Sequence, residues 1–339
     1  MLKNSASIMF YFTLMSGVLI TISSNSWLSA WMGLEINLLS FIPILMNNNN
    51  IYTTEAALKY FLIQALASSS LLFLIVMEIT LEMISFNFTN LLTTMIVSSP
   101  LMLKCGIAPL HWWFPSVMEG LNWSNCFIMM TLQKIAPMIL LSLMLNNTSL
   151  SMISIMSIIV GAIGGLNQTS IRKLLTYSSI NHIGWMLSAL MVNENLWMFY
   201  FSIYSTLTMT FILITKLLNI SFMNQINLMN SNLWTSKFLM FSSLLSLGGL
   251  PPFLGFLPKW MIIQTMVDNN LIFQVTMMTL FSLITLFYYL RLCYSSFMIL
   301  HLEPTWNFFL KITMSLKFSL MLTFTLLGLL LSPLLINLV

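Results

Sequence analysis

The chain has 339 residues, of which 58% are hydrophobic and only 6% charged, with a mean hydropathy of +0.93. A soluble domain carries about 25% charged residues, so a soluble enzyme is excluded. The formal charge of +4 is spread thinly, without the basic cluster a nucleic-acid binder needs. What remains is an all-α polytopic membrane protein.

Met1-Leu-Lys-Asn-Ser-Ala runs directly into the first apolar stretch, with no Arg-rich presequence or small-residue cleavage site before it. That predicts a bacterial protein or one made inside an organelle. Thirty Met residues and an excess of Asn fit a mitochondrial genome better. A span needs about 20 apolar residues. Applied in chain order, this predicts about eleven transmembrane segments, near 8–24, 27–46, 56–78, 91–113, 124–145, 150–167, 174–191, 196–218, 238–267, 271–291 and 315–337. The connections are short, the longest being Asn219–Lys237 and Leu300–Met314, so residues 1–339 form a single membrane domain.

Topology follows from the basic residues. Lys3, Arg172, Lys173, Lys216, Lys237, Arg291, Lys311 and Lys317 fall at the N-terminus or in even-numbered loops. The odd loops hold Glu82, Glu194 and Asp268 but no Lys or Arg. The N-terminus and even loops should therefore face the matrix or cytoplasm, with the C-terminus opposite.

Four basic residues break this pattern. Lys59, Lys104, Lys134 and Lys259 lie within apolar segments, as do Glu35 and His182. A lysine at the bilayer centre costs about 2.5–3.5 kcal/mol on insertion scales. Segment 4 is interrupted around Lys104 and Pro109, and segment 9 around Gly248-Gly-Leu-Pro-Pro252, with Lys259 following Pro258. Proline frees backbone carbonyls, which membranes tolerate only against protein or a water-filled cavity.

The two breaks lie five segments apart, an odd number. That predicts two inverted five-helix repeats, about 8–145 and 150–291, each with one broken helix, followed by a C-terminal helix at 315–337. In this register Glu35 in segment 2 pairs with His182 in segment 7, and Lys59 in segment 3 with Lys216 in segment 8. Lys134 has no partner in segment 10.

Buried lysines shift toward neutrality, and a nearby carboxylate pulls them back. A row of them can pass a proton, with Glu35 holding or releasing the first. Lys59 has a plainer alternative, pairing with Glu55 one turn earlier or snorkelling to the interface. His182 lies among hydroxyl and amide side chains in Tyr177-Ser-Ser-Ile-Asn-His-Ile-Gly-Trp185 and is either part of a water chain or a satisfied core histidine.

His111, between Trp112 and the Pro109 break, reads as packing. Cys105, Cys126 and Cys293 lack metal-ligand spacing, and the three scattered histidines do not suggest a metal. Gly161-Ala-Ile-Gly-Gly165 reads as a close helix contact rather than a phosphate loop.

Three stretches together resemble a known family: Glu55-Ala-Ala-Leu-Lys-Tyr-Phe-Leu-Ile-Gln-Ala-Leu-Ala-Ser68, Leu103-Lys-Cys-Gly-Ile-Ala-Pro-Leu-His-Trp112 and Ser246-Leu-Gly-Gly-Leu-Pro-Pro-Phe-Leu-Gly-Phe-Leu-Pro-Lys259. They are similar to the antiporter-like membrane subunits of proton-pumping NADH:ubiquinone oxidoreductase, respiratory complex I. Fourteen helices are usual in that family; about eleven here fits the animal form, which lacks the first three.

The resemblance implies proton translocation through Glu35, Lys59, Lys104, Lys134, Lys259 and His182. It also implies no redox centre in this chain, with NADH, FMN, iron–sulfur clusters and ubiquinone held by partner subunits. The expected setting is the mitochondrial inner membrane, the N-terminus on the matrix side and the C-terminus toward the intermembrane space. The chain would be an obligate hetero-oligomer with other membrane-arm subunits and lipids, without nucleic acid. Two alternatives share the features: a subunit of a multi-component cation/proton antiporter, and a scaffold that seals and bridges neighbouring pumps.

Overall fold

A computed structural model describes residues 5–46, 50–82, 91–144, 146–227 and 234–296. The predicted span 315–337, the 300–314 connection, Lys3, Lys311 and Lys317 lie outside the described residues. The elements in order are α1 (Ser5–Ile22), α2 (Trp27–Leu45), α3 (Ile51–Glu82), α4 (Leu91–Cys105), α5 (Trp113–Gly120), α6 (Trp123–Met130) and α7 (Leu132–Met144). They continue with α8 (Asn147–Gly165), α9 (Ile171–Val192), α10 (Glu194–Leu218), α11 (Met223–Asn227), α12 (Trp234–Gly248), α13 (Phe256–Asp268) and α14 (Ile272–Tyr294). Among the described residues the only β pairing is an isolated bridge, Ser170 with Phe222.

Ten of the eleven predicted segments are recovered, each as one helix or as two successive ones. Seven stretches are long and apolar enough to cross a membrane, including α6 and α7 taken together as Trp123–Met144. The helix α9 is not among them, because Thr176, Ser178, Ser179, Asn181, His182 and Ser188 interrupt its apolar character. All six are buried. Water-facing helices bury their apolar side, whereas here α9 buries a polar row and Phe12, Leu62, Phe273 and Phe287 face outward. Hydrocarbon outside the protein makes that arrangement favourable.

The chain divides into two compact units, Met1–Ile153 and Ser154–Val339. In the first, α3 packs against α2, α4 and α5, while α7 packs against α1, α4 and α6. In the second, α10 packs against α9, α12 and α13, while α14 packs against α9, α12 and α13. Each unit thus has a broken helix (α4–α5, α12–α13) lying against an unbroken one.

Small residues allow the tightest approaches. A methyl added at Gly17 of α1 would lie 2.9 Å from the backbone nitrogen of Asn37 in α2. One added at Gly161 of α8 would lie 2.6 Å from that of Asn181 in α9. The interval between glycine and asparagine is the same in both units. In each unit a glycine thus lies against the backbone of an asparagine twenty residues later in the chain. Buried hydroxyls such as those of Thr21, Ser40, Ser157 and Ser179 donate to carbonyls one turn back in their own helix. This satisfies them without a partner helix.

The basic ends of the second unit gather together. The 169–171 and 221–223 segments pair through Ile171 N–H to Ser221 O and Met223 N–H to Thr169 O. The Arg291 guanidinium at the end of α14 donates to Leu166 O just beyond α8. Arg172, Lys173 and Arg291 therefore share one end of this unit.

Candidate functional site

The two helix breaks are built alike. In the first unit α4 stops at Gly106, whose φ of +70° only glycine adopts readily. Gly106 N–H donates to Leu103 O at 3.2 Å and Ile107 N–H to Met102 O at 3.0 Å. In the second unit α12 stops at Gly249, with φ of +84°. Gly249 N–H donates to Ser246 O at 3.0 Å and Leu250 N–H to Leu245 O at 3.3 Å. Both are Schellman closures. The prolines that follow, Pro109 and Pro251-Pro252, prevent the helix from resuming at once.

A Schellman closure leaves carbonyls of the last turn unfilled, and the units fill them differently. In the first, the Gln64 side-chain amide of α3 donates to the open Lys104 O at 3.3 Å, and the Trp113 indole N–H adds a second donor, at 3.0 Å, to the Leu103 O that Gly106 already engages. In the second, the Lys259 ammonium donates to Gly248 O at 2.8 Å and to Leu247 O at 3.3 Å. Leu247 stands where Lys104 stands, two residues before the glycine. A neutral amide thus occupies the place in one unit that a cation occupies in the other.

Lys104, Lys134, Lys259 and His182 are all buried. Lys104, in the last turn of α4, lies within Coulombic range of the half-buried Glu35 on α2. Lys134 on α7 is 1% exposed, with its ammonium 5.3 Å from the centre of the Phe114 ring and within Coulombic range of Cys105. Cation–π contact offsets part of the cost of desolvating an ammonium. Lys259 has the same kind of neighbour, its ammonium 5.8 Å from the Trp185 ring of α9. Lys104 and the Lys259 ammonium stand at the negative ends of α4 and α12, a favourable place for a cation.

The expected continuous span at 124–145 is interrupted. Thr131 separates α6 from α7, with φ −118° and ψ −80°. Its hydroxyl donates to Phe127 O at 2.7 Å, and the Lys134 N–H donates to Thr131 O at 3.0 Å. Lys134 therefore lies in the first turn of a new helix. Neither Gly nor Pro marks this break, so the residue types alone do not announce it.

Lys59 is exposed on α3, unlike the buried Lys104, Lys134 and Lys259. Sequence reasoning missed several polar residues that bind the helices around these lysines. Gln133 donates to Asn37 Oδ1 at 3.1 Å, and Tyr60 reaches Gln133 Oε1 at 3.5 Å, tying α2, α3 and α7 beside Lys134. Gln64 was readable as an amide in an apolar run, yet its acceptor could not be. His111 stacks on Trp112 with ring centres 5.0 Å apart.

In the second unit His182 Nδ1 is 2.8 Å from the Tyr200 hydroxyl oxygen, and its ring centre is 5.0 Å from that of Tyr204. Among the described residues no group of three or more His, Cys, Asp or Glu side chains is placed to hold a metal ion.

Buried lysines at paired helix breaks are matched by similarity to known proteins. The family described as NADH:quinone oxidoreductase/Mrp antiporter, TM, matches residues 24–285. NADH-ubiquinone oxidoreductase chain 2 of Anopheles gambiae is 49% identical over 306 residues, covering 90% of each chain. The protein of the same name from Locusta migratoria is 48% identical over 307 residues, again 90% of each.

Among solved structures, a chain of respiratory complex I from Thermus thermophilus with bound aureothin superposes with a TM-score of 0.80. It shares 23% identity, with 97% of this chain and 80% of that one covered. A chain of the Mrp complex from Dietzia gives a TM-score of 0.74 at 17% identity, covering 87% of this chain and 61% of that one. At these identities the structures show a shared fold. The sequence similarity, near half identity over nine-tenths of the chain, carries the assignment: the chain belongs to the NADH-ubiquinone oxidoreductase chain 2 family, within the NADH:quinone oxidoreductase and Mrp antiporter membrane proteins.

Proposed function

We propose that this chain moves protons across the mitochondrial inner membrane as a membrane-arm subunit of NADH:ubiquinone oxidoreductase. The observation that carries this reading is a buried lysine at the broken helix of each unit, with a third, Lys134, buried at an unmarked helix break. Charged groups are expensive inside a bilayer and functional by default, and broken helices supply the polar backbone that a proton path needs. The reading of two inverted repeats with the N-terminus on the matrix side rests on the odd number of segments between the two breaks and on the placement of Lys and Arg along the sequence. NADH, FMN, iron–sulfur clusters and ubiquinone belong to partner subunits, and electron transfer there drives the lysines here.

Glu35 holds the first proton site through its charge on Lys104. Lys134, Lys259 and His182 continue the path. Lys59, exposed on this chain, serves at the surface as an entry group or an interface contact.

The test is Lys134→Met in the assembled complex in sealed vesicles, recording complex abundance, NADH oxidation and proton uptake together. Normal abundance with weakened uptake or turnover is the expected result. Full assembly with undiminished uptake would remove Lys134 from the path. Loss of the assembled complex would favour a scaffold role, in which the buried charges brace the helices.

A further inference from the structure

The polar row of α9 leads to a residue that the lysine-centred reading does not use. Tyr200 of α10 is buried, as is His182, and the two are joined by the 2.8 Å contact between hydroxyl oxygen and Nδ1. Tyr204, one turn later on α10, lays its ring against the same imidazole and interacts with the Ser179 hydroxyl of α9. Tyr204 and Tyr289 lie near enough to act electrostatically on the Tyr200 hydroxyl. The Tyr288 and Tyr289 rings of α14 pack edge to face at 4.6 Å.

The titratable groups facing this part of α9 are few. Tyr200 and Tyr204 come from α10, Lys259 beside Trp185 from α13, and Tyr288 and Tyr289 from α14. The α8 sequence Asn147–Gly165 brings none.

We propose that Tyr200 is the proton-transfer partner of His182, extending the path of the second unit from α9 onto α10. The proposal rests on the reading of this chain as a proton carrier. A tyrosine hydroxyl both donates and accepts, so its bond to Nδ1 works in either direction. With Nδ1 protonated and donating to the Tyr200 oxygen, Nε2 carries the lone pair of the neutral ring and is the nitrogen that accepts an arriving proton. As the Nε2–H bond forms, the Nδ1–H bond breaks and its proton passes to the Tyr200 oxygen. The original Tyr200 O–H bond breaks in the same step, its proton going to a water or hydroxyl acceptor beyond.

One proton enters and one leaves. The pair ends as a neutral imidazole and an intact phenol, with the hydroxyl now donating to Nδ1. Neither side chain keeps a charge, which suits a buried site where an isolated ion is costly. A bare apolar side chain at 200 would leave His182 able to bind a proton but not to hand it on through Nδ1.

Tyr200→Phe keeps the ring and removes only the hydroxyl. It is compared with His182→Gln and the double variant in assembled complex in sealed vesicles, each normalised to complex content. Proton uptake per NADH oxidised is followed across the near-neutral pH range. Tyr200→Phe should lower uptake by at least roughly twofold, the low end for coupled neighbouring residues, and the double variant should be no worse than His182→Gln alone. Its pH profile should also move, which loss of packing alone would not cause.

An impaired His182→Gln beside a wild-type Tyr200→Phe would overturn the proposal and leave the proton-carrier reading standing. Additive losses with an unmoved pH profile, or loss of assembly in Tyr200→Phe alone, would overturn it by assigning the hydroxyl to folding. If neither single variant is impaired, His182 leaves the path and the proposal falls with it, while Lys134→Met decides the wider reading separately.

Discussion

The Lys259 ammonium donates to the carbonyl of Gly248 at 2.8 Å, closing the end of α12 with a cation carried by α13. One side chain is therefore both the charge of the site and the strut between the halves of a broken helix. A lysine that moves off this carbonyl to pass a proton must leave the helix end uncapped while it does so.

Lys259→Met removes the donor and leaves the Gly248 and Leu247 carbonyls to find other partners. A buried acceptor without its donor costs about 1–3 kcal/mol. The expected outcome is lowered thermal stability of the assembled complex together with reduced proton uptake per NADH. Thermal inactivation and vesicle acidification measure the two. Reduced uptake at wild-type thermal stability would show that Lys259 carries charge without bracing the break.

Gly249→Ala combines two penalties. The backbone at φ +84° costs a side-chain residue about 1–2 kcal/mol. The new methyl would also lie 2.9 Å from Lys259 Cδ and 3.0 Å from its ammonium nitrogen. Gly248→Ala would meet nothing nearer than Tyr289 at 3.4 Å, an ordinary contact, and needs no left-handed backbone, so its loss should be the smaller. Turnover per assembled complex in the two variants checks the order; equal effects would contradict it.

Gln64→Leu leaves the Lys104 carbonyl without its amide donor, again at about 1–3 kcal/mol. Gln64→Glu is the sharper variant. An ionised carboxylate cannot donate to a carbonyl and would place a second negative charge near Lys104 besides Glu35. We expect Gln64→Leu to lower thermal stability, and Gln64→Glu to depress turnover further at equal complex content. Wild-type behaviour of both would mean that the 3.3 Å contact contributes nothing.

Gly17→Val and Gly161→Val test the two close helix crossings. Overpacking a tight contact costs about 1–3 kcal/mol, and here the obstacle is backbone that cannot swing aside. Both variants should reduce the amount of assembled complex on native gels while leaving turnover per surviving complex near normal. A normal amount would show that the crossings have slack.

Several of these features were legible in the residues. Composition and the spacing of apolar runs required a helical membrane protein, because hydrocarbon admits only helices or closed barrels and apolar runs of about 20 residues fit the helix. Lys104 beside Pro109, and Gly248-Gly-Leu-Pro-Pro252 before Lys259, marked both broken helices, since glycine and proline act on the chain locally. The interruption at Thr131 was not legible, as neither glycine nor proline stands at it and the back-bond from its hydroxyl to Phe127 O is one that many helical threonines make without a break. Lys59 and Lys104 both lie in apolar runs, and Glu55 one turn before Lys59 gave that lysine the plainer reading. Only packing exposes the first and buries the second.

The sequence by itself determined the medium, the helical class, the two breaks and the identity of the charged residues, because these depend on local chemistry and on distance along the chain. Tertiary structure alone decided which partner each group meets. Gln64 finds the Lys104 carbonyl, Lys259 the end of α12, Gln133 the Asn37 amide and Tyr200 the His182 ring. Those pairings depend on which helix faces lie within about 3 Å of one another, and that is set by the packing of whole helices rather than by any stretch of residues.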